Sequence, residues 1–242
     1  MTEKLSTDEF LYRKENFDEN YKRIKEEMNQ AAIKARRNPD EILLLAATKT
    51  VPVEIINYAT AQGIKAIGEN RVQEFLSKYN ELEKSADMQF IGTLQTNKVK
   101  QIVGKVSLIH SVHSVKLAET IAKESINQNS VSDILIEVNI GGEESKTGIS
   151  ETNIFELLYE IAQIKGVRVM GLMAIPPIFE NVTKNSSYFN KMRKLFIDIQ
   201  GKKIDNVYMK FLSMGMSDDF ALAISEGSNI VRIGTALFGK RI

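Results

Sequence analysis

The chain has 242 residues, 43% hydrophobic and 26% charged, which is material for one large domain with a substantial core. Its 32 basic and 31 acidic residues leave a formal charge of +1, so no global field draws it to nucleic acid or to an anionic membrane. Cysteine is absent, which excludes disulfides, thiolate metal sites and thiol catalysis and fits a reducing cytoplasm.

The opening residues, MTEKLSTDEF, are polar and mixed in charge, unlike a signal or transit peptide, and no apolar run reaches membrane-spanning length. We therefore expect a cytoplasmic protein. Ser6-Thr-Asp-Glu9 has the capping-box form that opens a helix, and Phe10, Phe17, Tyr21, Ile24, Met28 and Ala31 then fall on one helical face. Arg36 and Arg37 sit where the end of a helix favours cations, and Asn38-Pro39 stops it. The polar face mixes both signs, so the helix is expected to pack on the domain rather than lie on a membrane.

Ile42 to Ala47 is a continuous apolar run, the pattern of a strand buried on both faces. It ends at Thr48-Lys49-Thr50, with Pro52 closing off any extension. Similar runs lie at 42–48, 64–69, 88–94, 106–113, 133–140, 167–175, 209–214 and 230–238. Helical spacing separates them: loosely in Leu117, Ile121 and Ile126, clearly in Ile154, Leu157, Leu158 and Ile161, and again in Phe189, Met192, Phe196 and Ile199. Strands alternating with helices imply parallel pairing through right-handed crossovers. Eight such units over about 200 residues predict a (β/α)8 TIM barrel. The barrel is expected over 41–239, with an added N-terminal helix in 1–38, all as one domain over 1–242. An open doubly wound sheet is the alternative, but no G-x-G-x-x-G follows the first strand.

Barrel chemistry sits at the C-terminal ends of the strands, so those ends are the candidate site. Lys49 stands at the tip of strand 1, where apolar walls would favour the neutral amine that attacks a carbonyl. The plainer alternative is a surface lysine or one half of a salt bridge. Ser213-Met-Gly215 and Gly234-Thr235 follow strands 7 and 8, the usual place for phosphate in barrels. Glycine lets the backbone approach an anion and the hydroxyls add donors. Tight turns with an N-cap would also explain them, and Ser217-Asp218-Asp219 looks like the start of a short helix. Alternation points Arg232 into the barrel, where a charge needs a partner. That partner is either Glu69 or Glu137 in an internal ion pair, or a heteroaromatic nitrogen or carboxylate of a ligand. His110 and His113, three apart on a strand and without a third ligand, read as ordinary strand-end residues with no metal.

Taken together these stretches resemble the pyridoxal 5′-phosphate homeostasis proteins, single-domain relatives of the alanine racemase barrel. The resemblance is carried by LLAATKT (44–50), IGENRVQE (67–74), FIGTLQTNK (90–98), VNIGGEESKTGI (138–149), GLMAIPP (171–177), LSMGMSDDF (212–220) and VRIGTALFG (231–239), and runs from about residue 36 to 239. It implies that Lys49 holds pyridoxal phosphate (PLP) as a Schiff base and that Ser213, Gly215, Gly234 and Thr235 cradle its phosphate. It also implies that Arg232 faces the pyridine nitrogen, while Asn70 and Met173 line the pocket. Thr93 departs from many bacterial relatives, which carry histidine there.

The implied role is non-enzymatic: storing PLP or delivering it to apo PLP-dependent enzymes. No nucleic-acid or membrane partner is expected, and we expect a monomer. An amino-acid racemase is the alternative, and an aldolase using Lys49 directly on a sugar phosphate is a third reading. Alanine racemases resemble this chain only in the barrel and add a C-terminal β-domain with a second catalytic base. The chain runs directly from strand 8 to Lys240-Arg241-Ile242, so racemisation is not expected.

Overall fold

The eight apolar runs become eight parallel strands that close on themselves in chain order. They are β1 (Leu43–Ala47), β2 (Ala66–Glu69), β3 (Asp87–Phe90), β4 (Leu108–Val112), β5 (Ser132–Val138), β6 (Val167–Ala174), β7 (Val207–Ser213) and β8 (Ile230–Ile233). This computed structural model describes residues 5–143, 146–177 and 185–239. Glu144 and Ser145 of the loop after β5, and Lys240 to Ile242, fall outside those residues. Helix α1 (Thr7–Lys34) precedes the barrel. After each strand in turn comes α2 (Val53–Ala61), α3 (Val72–Lys78), α4 (Val99–Ile102), α5 (Val115–Asn127), α6 (Ile154–Ala162), α7 (Asn185–Lys202), α8 (Phe220–Ser225) and α9 (Thr235–Phe238). This is the expected TIM barrel with its additional helix.

Strand alternation sorts the side chains into two apolar clusters. A small one, containing Leu45, Ala66, Leu108, Leu135, Met173 and Ile230, fills the inside of the barrel. A far larger one lies between strands and helices and includes the stripes of α6 and α7. β1 closes the barrel against β8 in a register that sets Leu43 beside Ile230 and Leu45 beside Arg232.

Helix α1 covers the seam where the barrel's own helices are short, since α8 and α9 are six and four residues long. Ser6 accepts the Glu9 amide at 3.2 Å, but the Glu9 carboxylate pairs with Arg13, so half of the capping box forms. Phe17 is fully buried, stacked on Phe238 with centroids 5.8 Å apart and edge-on to Tyr58. Arg37 serves α8 rather than its own helix, donating to the carbonyls of Ile224 and Ser228 at 2.9 and 2.6 Å.

The strands are mostly shorter than their apolar runs. The expected strand over 230–238 stops at Ile233, because Gly234 (φ −115, ψ −81) turns the chain and residues 235–238 form α9. The Ala236 amide there donates to the Ser217 hydroxyl at 3.2 Å. β3 ends at Phe90 rather than 94, and just beyond it the chain packs tightly on the end of β2: a Cβ on Gly92 would lie 2.0 Å from the Asn70 carbonyl oxygen. Replacing Phe17 by alanine is expected to cost about 3–5 kcal/mol, read as a lower urea midpoint, because it removes the aromatic link between α1 and the last helix.

Candidate functional site

Leu43, Leu45, Ala47 and Lys49 alternate onto the inner face of β1 and its extension, which brings Lys49 to the C-terminal mouth of the barrel. Its side chain is exposed, not half-enclosed by apolar walls as the run before it suggests, and it forms no ion pair among the described residues. The chain reverses tightly at this point. The Val51 amide donates to the Thr48 carbonyl at 3.0 Å, and Thr50 adopts the left-handed conformation at φ 62. A β-branched residue is strained there.

Arg232 points into the barrel and is 4% exposed. Neither Glu69 nor Glu137 pairs with it. Its Nη1 donates to the Ser213 hydroxyl at 2.7 Å and its Nη2 to the Ala174 carbonyl at 3.0 Å. Glu69 cannot reach it, because alternation turns that carboxylate outward, towards α3. Burial pushes the Arg232 pKa down to about 10, against the pull of Asp219 and Glu137, so the guanidinium remains charged near neutral pH.

Ser213 continues inward to His110, which is fully buried in β4 and not the ordinary strand-end residue expected from its spacing. His110 Nδ1 lies 3.1 Å from Ser213 Oγ and Nε2 lies 2.7 Å from Gln89 Oε1. Gln89 is oriented by its amide, which donates to Asp87 at 2.9 Å, so its oxygen accepts. That assigns the imidazole hydrogen to Nε2 and leaves Nδ1 to accept the serine hydroxyl. Burial, reinforced by the Arg232 charge, holds the imidazole well below its usual pKa of 6.5 and hence neutral. His113 does lie past the strand, its ring nitrogen 3.1 Å from the Ser111 carbonyl.

The turns after β7 and β8 come together beside β1. Gly215 is buried at φ 92, and an added Cβ would stand 2.5 Å from the Ala223 Cβ. Gly234 lies against Ala47, whose carbonyl would be 3.2 Å from a Cβ at that position. Thr235 is exposed at the start of α9. Of the two carboxylates nearby, Asp219 is turned away, accepting from the Met216 amide and from Asn185, both at 2.7 Å, and Asp218 is exposed. Asn70 follows β2 with its Oδ1 buried and lacking a donor among the described residues. Met173 is 1% exposed within the inner cluster, and Thr93 is exposed beyond β3.

Sequence reading missed Gln89 and His110 as part of this interior, and it placed Glu137 there only as a partner for Arg232. Glu137 is 7% exposed, with Oε1 accepting from Thr147 at 2.7 Å and Oε2 without a partner among the described residues. The signal was parity: Leu108 and His110 share one face of β4, and Leu135 and Glu137 share one face of β5. No cluster of three metal-ligating side chains occurs among the described residues, and none of their helices is long and apolar enough to cross a membrane.

Residues 14–241 match the family described as alanine racemase, N-terminal domain. A pyridoxal phosphate homeostasis protein of Aquifex aeolicus is 48% identical over 228 residues, covering 93% of this chain and 99% of its own. This chain belongs to the pyridoxal phosphate homeostasis family. Among solved structures, a protein from Bifidobacterium adolescentis superposes with a TM-score of 0.90 at 32% identity, over 98% of each chain. PipY of Synechococcus elongatus PCC7942, solved with PLP bound, gives a TM-score of 0.77 at 30% identity, over 88% of this chain and 100% of its own.

The buried imidazole has a consequence for stability. Below its ordinary pKa of 6.5 the unfolded chain takes up a proton that folded His110 refuses, so stability present above that pH is lost as pH falls. Urea unfolding at pH 7 and pH 5.5 should show the wild type losing more than His110→Asn, by about 1.4 kcal/mol for each pH unit below 6.5. Parallel pH dependences would show a folded imidazole that protonates normally.

Proposed function

We propose that this chain binds pyridoxal 5′-phosphate covalently through Lys49 and keeps it in reserve for apo PLP-dependent enzymes, without turning over a substrate. The observation that carries this reading is one amine facing water and one buried guanidinium converging on a mouth that also holds two glycine turns. These groups fit the cofactor's chemistry. Gly215 and Gly234 carry no side chain to keep an anion from the backbone, the Thr235 hydroxyl adds a donor, and the Asp219 carboxylate is engaged by Met216 and Asn185. The donorless Oδ1 of Asn70 suits a ring hydroxyl, and Met173 supplies an apolar contact. Ser213 gives its only proton to His110, so its part is to hold Arg232 in place.

Bound there, the cofactor supplies an aldehyde carbon that condenses with the Lys49 amine and releases one water. The charged Arg232 disfavours protonation of a pyridine nitrogen held against it, which weakens the ring as an electron sink and supports a carrier over a racemase. Relatives named as homeostasis proteins support the same role. Every group of the site comes from one barrel, so a single chain suffices for binding. The absence of cysteine supports a reducing compartment such as the cytoplasm.

Borohydride reduction of the PLP-loaded protein followed by peptide mapping should place the label on Lys49 alone, and Lys49→Ala should lose the yellow colour. A label elsewhere would overturn the assignment. Exchange or racemisation of L-alanine in deuterated water at about 1 per second or faster would make the protein an enzyme instead. Gly234→Val should weaken PLP by about 1.5–3 kcal/mol per lost phosphate contact and affect dephosphorylated pyridoxal far less. Equal weakening of both ligands would move the phosphate elsewhere.

A further inference from the structure

Behind β1, on the side facing the helices, lies a cluster of charges that the pocket does not use. Lys78, the last residue of α3, is 4% exposed. Its ammonium donates to Glu69 Oε1 at 2.7 Å, to Glu74 Oε1 at 2.7 Å and to the Thr48 carbonyl at 2.9 Å. The same Glu74 oxygen accepts the Thr50 amide, and Glu69 accepts the Thr48 hydroxyl at 2.9 Å. The Thr48 carbonyl belongs to the peptide that enters Lys49, and the Thr50 amide to the peptide that leaves it. One ion pair therefore holds the backbone on both sides of Lys49 while touching nothing in the barrel interior.

The turn it holds is the strained one, with Thr50 at φ 62. A β-branched residue leaves that conformation unless its surroundings fix it. Burial tends to raise the pKa of both carboxylates. For Glu74 the hydrogen bonds from Lys78 and Thr50 outweigh burial and lower it, while Glu69 remains raised. Glu74 is thus the anion of the cluster that the backbone amide and the ammonium both favour.

We propose that Lys78 and Glu74 are positioning residues for Lys49, gripping its two flanking peptides from outside the barrel so that its exposed amine is aimed at the mouth. This rests on the reading of Lys49 as the covalent attachment point. A long, solvent-facing side chain gains most from a fixed Cα, because little else restricts where its amine goes. The clamp matters for a ligand that bonds to the amine and is indifferent to one that uses only the phosphate and ring contacts.

The test compares PLP with pyridoxine 5′-phosphate, which has the same phosphate and ring but an alcohol in place of the aldehyde. Binding of each is measured by titration calorimetry, adduct position by reduction and mapping, and folding by urea unfolding of the unloaded proteins. Lys78→Met and Glu74→Leu should lower PLP affinity by about tenfold and leave pyridoxine 5′-phosphate within about twofold, with less adduct at Lys49. Glu74→Gln keeps an acceptor for the Thr50 amide and should return PLP affinity to within about threefold of wild type. Glu74 is only half-buried, so its variants decide the matter even where Lys78→Met fails to fold. A folded Glu74→Leu that binds both ligands like the wild type, or loses both alike, overturns the proposal. A wild type that yields no adduct at Lys49 overturns the attachment reading and the clamp with it.

Discussion

The pairing of β1 with β8 is the constraint on which the mouth of this barrel depends. Its register sets Leu45 beside Arg232 and Ala46 beside Ile233, which carries Ala47 to Gly234 and brings the Lys49 turn beside the turn after β8. A slip of β1 by one residue would turn Thr48 inward and Lys49 out, leaving Arg232 without the amine beside it. The inner cluster that includes Leu45, Leu108, Leu135 and Met173 occupies the lumen, so the polar groups work from a floor already filled with apolar side chains.

Two buried polar systems flank the wall that this closure makes, and they are satisfied in different ways. Outside it, one lysine meets two glutamates, and truncating a member of such a buried pair typically costs about 3–5 kcal/mol because the remaining charge is left uncompensated. Inside it, Arg232 is satisfied by a hydroxyl and a carbonyl, both uncharged, and by no carboxylate in contact among the described residues. A buried cation with only neutral partners leaves the lumen electrostatically receptive to a ligand with an electron-rich ring nitrogen and an anionic tail.

Much of this was legible in the chain. The apolar runs and the helical stripes announced the barrel because burial on both faces of a parallel strand leaves no room for alternation, while the helices must show a stripe. Lys49, Arg232 and the two glycine turns were singled out because strand ends in a barrel are where function collects, and the fold brings them to one end of the barrel. What stayed hidden was of two kinds. Strand limits depend on single backbone choices, such as the turn at Gly234, which Thr-Ala-Leu-Phe does not betray. Lys78 and His110 depend on neighbours far along the chain: Lys78 is one of many lysines until Glu69 and the Thr48 carbonyl close around it, and His110 is an isolated polar residue until Gln89 and Ser213 arrive from other strands.

The long first helix and the short last one are joined at Phe17 and Phe238, and by the Asn20 side chain donating to the Leu237 carbonyl across 217 positions of sequence. A growing chain meets these partners in the worst order. Helix α1 is made before the barrel, and of the partners of its aromatic face Tyr58 of α2 follows soon after in the chain. Its final cover is made only when the last strand has been translated, on the order of ten to forty seconds later at ordinary elongation rates. Through that interval the nascent barrel is an open sheet with two unpaired edges, β1 being one of them, and an exposed aromatic stripe beside it, which is the kind of surface that chaperones bind.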